Sequence, residues 1–295
     1  MEEISQVSVI IPTMPHRSEL LKRLLDSLPA ECEKIVMGDE KMLLAEKRNR
    51  GARLAKGKYL LFIDDDNYLK DGAIYEMLRQ FNEYVGVIGM TACYDDKKMR
   101  VADGGSIRGI LGFSGEYISG FTRGLRTNWP LHQGWNEIIY PTQEVCKKGL
   151  YPVDEVANAF MIRRDVFDDV GGFDEVNFPI DLDEADICKR INDMGYQIVM
   201  NPKAICYHKS QTYSHIPNFR RPMNAYFMGR NRVLYQRKHN NDLRYGVYFV
   251  FFMPVFVVFY VASLLFKKNP VMIPHFLKGV LDGLLGRLEN KYQPR

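Results

Sequence analysis

Residues 46–67 read EKRNRGARLAKGKYLLFIDDDN, and this stretch decides the fold. Leu43 to Ala55 reads as a helix closed at Gly57, and Tyr59 to Ile63 as an apolar run short enough for a buried strand. The run stops abruptly at Asp64, Asp65 and Asp66. Upstream, Val7 to Ile11 is a β-rich run ended by Pro12. Ser18 to Leu28 then sets Leu20, Leu21, Leu24, Leu25 and Leu28 on one helical face, with Ser18 suited to cap it, and Lys34 to Met37 reads as another strand. Strands alternating with helices predict an α/β fold. The expected form is Rossmann-like: a mostly parallel central sheet, helices on both faces, and ligands at the carboxyl ends of the strands.

Downstream, from about Thr91 to Tyr151, the chain turns rich in glycine and aromatics (GGSIRGILGFSGEYISGF, then NWPLHQGW), a composition suited to ordered loops over a binding cleft. A helix-like Arg163 to Val170 follows, then the turn Gly171-Gly172, an acidic segment, a helix from Glu184 to Gly195 and a strand from Gln197 to Met200. The last quarter opens with a basic helical pattern near Met223 to His239. Residues 246–266, GVYFVFFMPVFVVFYVASLLF, contain no charged residue. As a helix they extend roughly 30 Å, enough to cross a bilayer core. Arg244 and Lys267-Lys268 bracket the run, and Tyr245 and Tyr248 lie near one end, as at membrane interfaces. A buried core helix is the competing reading. Pro254 could kink the segment or turn it back as a hairpin. Phe276, Leu277, Val280, Leu281, Leu284, Leu285 and Leu288 then keep the spacing of an interfacial amphipathic helix.

The chain has 295 residues, 46% of them hydrophobic, enough for one large domain with a small appendage. Its five cysteines are odd in number, scattered and without a C-x-x-C pair, which suggests neither a disulfide framework nor a zinc ribbon and favours a reducing setting. The opening MEEISQ is acidic and is followed by the short VSVIIP, so no secretory signal is expected. The net charge of +4 hides an asymmetry: residues 1–219 carry 27 Lys and Arg against 33 Asp and Glu, whereas residues 220–295 carry 13 against 3. A basic tail around a long apolar run points to an anionic membrane surface and away from nucleic acid. The expected division is a catalytic domain at 1–219 and a membrane-associated helical region at 220–295.

Three consecutive aspartates after a buried strand are unfavourable unless something cationic binds, and their hard oxygens suit Mg²⁺ or Mn²⁺ carried with a diphosphate. The plainer reading is a solvated acidic turn capping the next helix, with Asn67 and Asp71 as further caps. A second acidic group, Asp181, Asp183, Glu184 and Asp186, stands at the entrance to a helix. Acidic residues there are ordinary partners of the helix dipole, but a loop-to-helix junction also suits a carboxylate that accepts a proton. His208, after the last strand, is a candidate neutral ligand or a structural histidine.

In order along the chain, VSVIIPT with Arg17, EKIVMGDE, EKRNRGARLAKGKYLLFIDDDN, EVANAFMIRRDVFDDVGGFDE and DLDEADICKRINDMGYQIVMNPKAICYH resemble the motifs of family 2 glycosyltransferases of the GT-A fold. The nearest resemblance is to rhamnosyltransferase-like members that end in membrane-associated helices. It covers about residues 5–210, with fainter similarity in YFMGRNRVLYQRKH and FLKGVLDGLLGRL. It implies a nucleotide-sugar site formed by Pro12, Thr13, Arg17, Asp39, Arg48, Asp64 and Asp65, with Asp39 at the nucleobase and Asp64 and Asp65 near ribose and diphosphate. Asp66 would bind the metal, and His208 would complete the metal or diphosphate site. The family usually has Glu-Asp where this chain has Asp183-Glu184. The second position is the commoner base, which assigns Glu184 with Asp183 as substitute.

The expected activity is therefore inverting transfer of a sugar from a nucleotide-diphosphate sugar, with a divalent Mn²⁺ or Mg²⁺ ion. The acceptor would be a saccharide or a lipid-linked glycan at the cell membrane, with the catalytic domain facing the cytoplasm. One alternative makes polyprenyl phosphate the acceptor; another is a noncatalytic membrane scaffold with a GT-A fold. A Rossmann dehydrogenase fits poorly, because Pro12-Thr13-Met14-Pro15 replaces the G-x-G-x-x-G turn.

Overall fold

A computed structural model describes residues 3–94, 149–152, 155–156, 159–208 and 221–288. Most of the expected glycine-rich and aromatic loops, residues 95–148, lie outside the described residues. The described chain forms two compact units, one from residues 3–94, 149–173 and 187–208, the other from residues 174–186 and 221–288.

The first unit is built on one sheet. Its strands are β1 (Val7–Pro12), β2 (Glu33–Met37), β3 (Tyr59–Ile63), β4 (Asn67–Leu69), β5 (Val85–Tyr94), β6 (Tyr151–Pro152), β7 (Ala159–Arg163) and β8 (Gln197–His208). The order is β2-β1-β3-β7-β5-β8-β4, with β6 beside β8. The class is α/β as expected, but the sheet is mixed. β1 runs parallel to β2 and β3, and β5 parallel to β8, while β7 is antiparallel to both β3 and β5. The alternation rule captured the β2-β1-β3 part and missed β7, because AFMIR runs straight into the following helix with no turn residue to mark it.

Helices cover both faces. The first are α1 (Ser18–Ser27), α2 (Leu44–Leu54), α3 (Ala73–Leu78) and α4 (Arg164–Asp169). Side-chain alternation in β1 sends Val7, Val9 and Ile11 to one core with Leu24 of α1 and Ile74 and Met77 of α3. Ile10 goes to the other, with Ala45 and Ala52 of α2 and Phe167 of α4. Gly51 lets α2 lie against β1, since a Cβ there would stand 2.4 Å from Ile10 Cγ2. α5 (Asp183–Asp193) adds Ile187, Cys188 and Ile191 to the second core.

The second unit contains residues 174–186, a loop and the first turn of α5, and the C-terminal helices. These are α6 (Pro222–His239), α7 (Asp242–Val247), α8 (Met253–Phe266) and α9 (Ile273–Leu285), with a π-type turn, Tyr248–Phe252, joining α7 to α8. Pro254 does not reverse the chain. Tyr245–Phe266 is one helix of 22 residues, and the wider π turn absorbs the backbone strain of a proline inside it. α6 and α9 touch backbone to backbone: a Cβ on Gly279 would lie 2.0 Å from the Tyr226 carbonyl oxygen, and one on Gly229 2.4 Å from that of Phe276. Phe256, Tyr260 and Leu264 of α8 pack with Ala225, Val233, Phe276 and Val280 in a shared apolar cluster.

Candidate active site

β3 ends in the three aspartates, and the fold gives each a different environment. Asp64 accepts from Arg48 Nη2 at 3.1 Å. Arg48 is fully buried in α2, its guanidinium 5.6 Å and 5.5 Å from the ring centres of Phe160 and Phe173. Asp65 is also buried. It accepts from Thr13 Oγ1 at 2.7 Å on one oxygen and from Arg17 Nη1 on the other. The segment after β1 is thereby tied to the end of β3. Lys47, buried in α2, reinforces the tie by donating from Nζ to the Thr13 carbonyl at 2.7 Å. Burial lowers the Lys47 pKa, against the raising influence of Asp39, Asp65 and Glu40.

Asp66 faces His208 and Arg17. His208 Nε2 lies 3.4 Å from Asp66 Oδ1, and Arg17 Nη1 3.6 Å from Asp66 Oδ2. Burial alone would raise the Asp66 pKa, but the hydrogen bond and charge of His208, with the charge of Arg17, outweigh it and hold the carboxyl below its ordinary value. Burial would likewise lower His208; Asp66 and Asp64 outweigh it and raise the imidazole. The approach of His208 is a consequence of sheet register, since Asn67 of β4 pairs with His208 at the end of β8. Sequence reading stopped β8 at Met200 because Asn201-Pro202 looks like a break. The strand instead carries a bulge, where Met90 pairs with Asn201 but Thr91 with Ile205.

A divalent ion fits this corner by donor chemistry. Asp66 offers carboxylate oxygen and His208 an imidazole nitrogen, and the neighbouring Asn67 Oδ1 is buried without a hydrogen-bond partner among the described residues. Among the described residues no group of three or more His, Cys, Asp or Glu side chains is placed to hold a metal ion by itself, so further ligands would come from the diphosphate and water. Thr13, Arg17, Arg48, Asp64, Asp65, Asp66 and His208 are thus brought together at strand ends of the first unit. Pro12 ends β1 opposite Met37 of β2. Asp39 is exposed in the turn after β2, where its Oδ1 accepts from the Lys41 amide at 2.9 Å.

Asp183 and Glu184 belong to the second unit and open α5. Asp183 is fully buried, whereas Glu184 keeps part of its surface exposed. Their neighbour Asp186 is buried against α6, bonded to Lys238 Nζ at 2.6 Å and His239 Nε2 at 2.8 Å. Asp174 accepts from the Asn177 amide at 2.9 Å and from Lys238 Nζ at 2.7 Å. Burial would raise its pKa, and these bonds bring it down to about 2. α6 supplies partners that sequence reading passed over: Arg230, Asn231, Arg232 and Gln236 are buried at 0 to 4% exposure. Their signal was present but ambiguous, because polar residues on every side of a helix read as a solvated face.

The strand order, the acidic end of β3 and the covered sheet agree with a GT-A-like α/β fold. The model of the glycosyl transferase family 2 matches residues 31–171, just under half of the chain, and identifies that stretch as family 2 glycosyltransferase sequence. No curated protein sequence matches it significantly. Among solved structures it is similar to the mannosyltransferase PcManGT from Pyrobaculum calidifontis, in complex with GDP-Man and Mn²⁺. That likeness has a TM-score of 0.52 and 13% identity and covers 95% of this chain and 87% of that one. It is also similar to S. aureus TarS in complex with UDP-GlcNAc, at a TM-score of 0.47 and 11% identity, over 95% of this chain and 92% of that one. At 13% identity the likeness to the Pyrobaculum enzyme is one of fold.

Proposed function

We propose that the chain transfers a sugar, with inversion, from a nucleotide-diphosphate sugar to a saccharide or lipid-linked glycan at the cytoplasmic face of the cell membrane. Residues 1–219 would be the catalytic portion and residues 220–295 the membrane-associated one. The convergence of Thr13, Arg17, Arg48, Asp64, Asp65, Asp66 and His208 at strand ends carries the donor half of this reading. The GDP-Man and Mn²⁺ held by the Pyrobaculum enzyme support a nucleotide donor and a divalent ion here. Asp66 and His208 would hold Mn²⁺ or Mg²⁺, which when bound offsets charge on the departing diphosphate. Arg17 and Arg48, fixed by Asp65 and Asp64, keep two guanidinium groups at the same strand ends.

Glu184 is the general base, because it keeps exposed surface where Asp183 is enclosed. It takes the acceptor hydroxyl proton while the acceptor oxygen bonds to the anomeric carbon, and the bond from that carbon to the diphosphate breaks with its electron pair. One carboxylate suffices for this single displacement. A polyprenyl phosphate acceptor is the second reading, favoured by one observation: Glu184 and the exposed apolar helices belong to the same unit.

The test is a thermal-shift series of UDP, GDP and dTDP with Mn²⁺ on the full-length protein, followed by turnover of the matching sugars with saccharides and with polyprenyl phosphate. One nucleotide should stabilise selectively, by about 2.7 kcal/mol at a hundredfold its Kd, and its sugar should be transferred. Loss of neither binding nor transfer in both Asp66→Ala and Glu184→Gln would sink the reading in favour of a scaffold. Transfer to polyprenyl phosphate without a saccharide would select the second reading.

A further inference from the structure

Asp181 and Leu182, just before α5, both have φ of 65°. Two successive left-handed residues that are not glycine are held only where neighbours impose them. Their geometry matters because the Leu182 carbonyl accepts the Asp186 amide at 2.9 Å, the contact that starts α5 and sets the direction in which Asp183 and Glu184 leave the helix. Against this stretch lies Asn231 of α6, a fully buried side chain. Its Nδ2 donates both hydrogens, to the Ile180 carbonyl at 2.7 Å and to the Asp181 carbonyl at 2.8 Å. Its Oδ1 accepts from Arg230 Nε at 3.0 Å, and Arg230 Nη2 in turn donates to the Asn177 carbonyl at 2.7 Å. The carboxamide thus spends both donors on a loop about 50 residues away in sequence and its acceptor on the neighbouring Arg230.

We propose that Asn231, oriented by Arg230, is a positioning residue that clamps Ile180 and Asp181 and so holds the Asp183–Glu184 pair in its working direction. The proposal rests on the reading of that pair as the site of the general base. Only an amide suits the place. An aspartate has the same shape and still accepts from Arg230, but it would set oxygen against the two carbonyl oxygens. Asn231→Asp therefore removes the clamp while keeping the volume and the Arg230 contact. Glycine takes a left-handed φ without cost, so adding Asp181→Gly should let the loop keep its path without the clamp.

The experiment uses full-length protein in bilayer nanodiscs, with thermal melting to confirm folding. Hydrogen exchange at residues 180–186 is read beside nucleoside diphosphate release from UDP-, GDP- and dTDP-sugars. Asn231→Asp should speed exchange in the loop and lower kcat by about tenfold to a hundredfold, with donor KM within about twofold, since the donor groups lie in the other unit. Asn231→Asp with Asp181→Gly should recover most of the kcat. Unchanged loop exchange in Asn231→Asp overturns the clamp. Faster exchange with unchanged kcat, in a protein that Glu184→Gln inactivates, overturns the positioning role and leaves the base reading intact. Full activity in both Glu184→Gln and Asp183→Asn refutes the base reading, and loop exchange then still decides the clamp by itself.

Discussion

Thr13, Arg17 and Asp65 form a closed set of contacts in which both carboxylate oxygens of Asp65 are used, whereas Asp66 keeps its contacts to His208 and Arg17 at 3.4 and 3.6 Å. Adjacent aspartates should therefore fail differently. Asp65→Ala leaves the Arg17 and Thr13 donors without their acceptor and should destabilise the first unit by about 3 kcal/mol, the scale of breaking a buried pair, visible as a lower melting temperature. Asp66→Ala should melt near the wild-type temperature yet lose the Mn²⁺-dependent part of nucleotide binding, as titration with and without Mn²⁺ would show. Asp174 supports a pH prediction. Its folded pKa, about 2, lies below the ordinary 3.8, so its stabilisation is present above that ordinary value and is lost as pH falls toward 2. Asp174→Asn should flatten this acid limb of the stability curve, measured by denaturant unfolding between pH 5 and about 2. At this scale the triple aspartate and His208 were legible as a chemical cluster. The separate environments of Asp64, Asp65 and Asp66 were not, because Arg48, Thr13 and Arg17 reach them only through the fold.

Elements explain why the legible part was uneven. β1, β2, β3, α1 and α2 follow local rules of apolar run, cap and turn residue, and each stands within a residue or two of its expected bounds. β4, β5 and β7 escaped because nothing local marks them. β5 contains Gly86 and Gly89, tolerated because Tyr196, Val156 and Met200 fill the space a side chain would take. α6 was expected as a basic helix, and only its burial shows that the basic and amide groups serve the second unit's interior. The α6–α9 crossing makes a sharper prediction. With a Cβ at Gly279 only 2.0 Å from the Tyr226 carbonyl oxygen, Gly279→Val must push the helices apart. It would also disturb Asp282, which accepts from Tyr226 Oη at 3.0 Å and Lys278 Nζ at 2.6 Å. The expected cost is about 3 kcal/mol or more, the upper end for overpacking, seen as loss of the melting transition or of folded yield. Gly246→Val meets nothing within 4 Å and should leave both unchanged.

For the whole molecule the relevant balance is between charge and apolar surface. Among the described residues one helix, Tyr245–Phe266, is long and apolar enough to span a bilayer, with mean hydropathy 2.5 and only 22% of its window buried. A core helix of a soluble domain would hide this surface, yet Val250, Phe251, Val258 and Phe266 are 60 to 73% exposed. α9 adds Leu277, Leu281 and Leu285 at 42 to 54% exposure on the side away from its glycines. Fourteen Val, Phe and Leu residues lie within 246–266, and at about 0.3 to 0.6 kcal/mol each on an insertion scale they favour the bilayer by several kcal/mol. The 13 basic residues against 3 acidic ones in 220–295 add attraction to anionic lipid, but salt screens that attraction while leaving apolar burial intact. Wild-type protein should therefore float with anionic vesicles at low salt and stay bound to membranes in 1 M salt and in alkaline carbonate. Leu277→Gln with Leu281→Gln and Leu285→Gln should weaken flotation on zwitterionic vesicles without releasing carbonate-resistant protein, because residues 246–266 are untouched. Complete release of the wild-type protein by carbonate would count against insertion of residues 246–266 and leave a surface-bound enzyme held by α9 and charge alone.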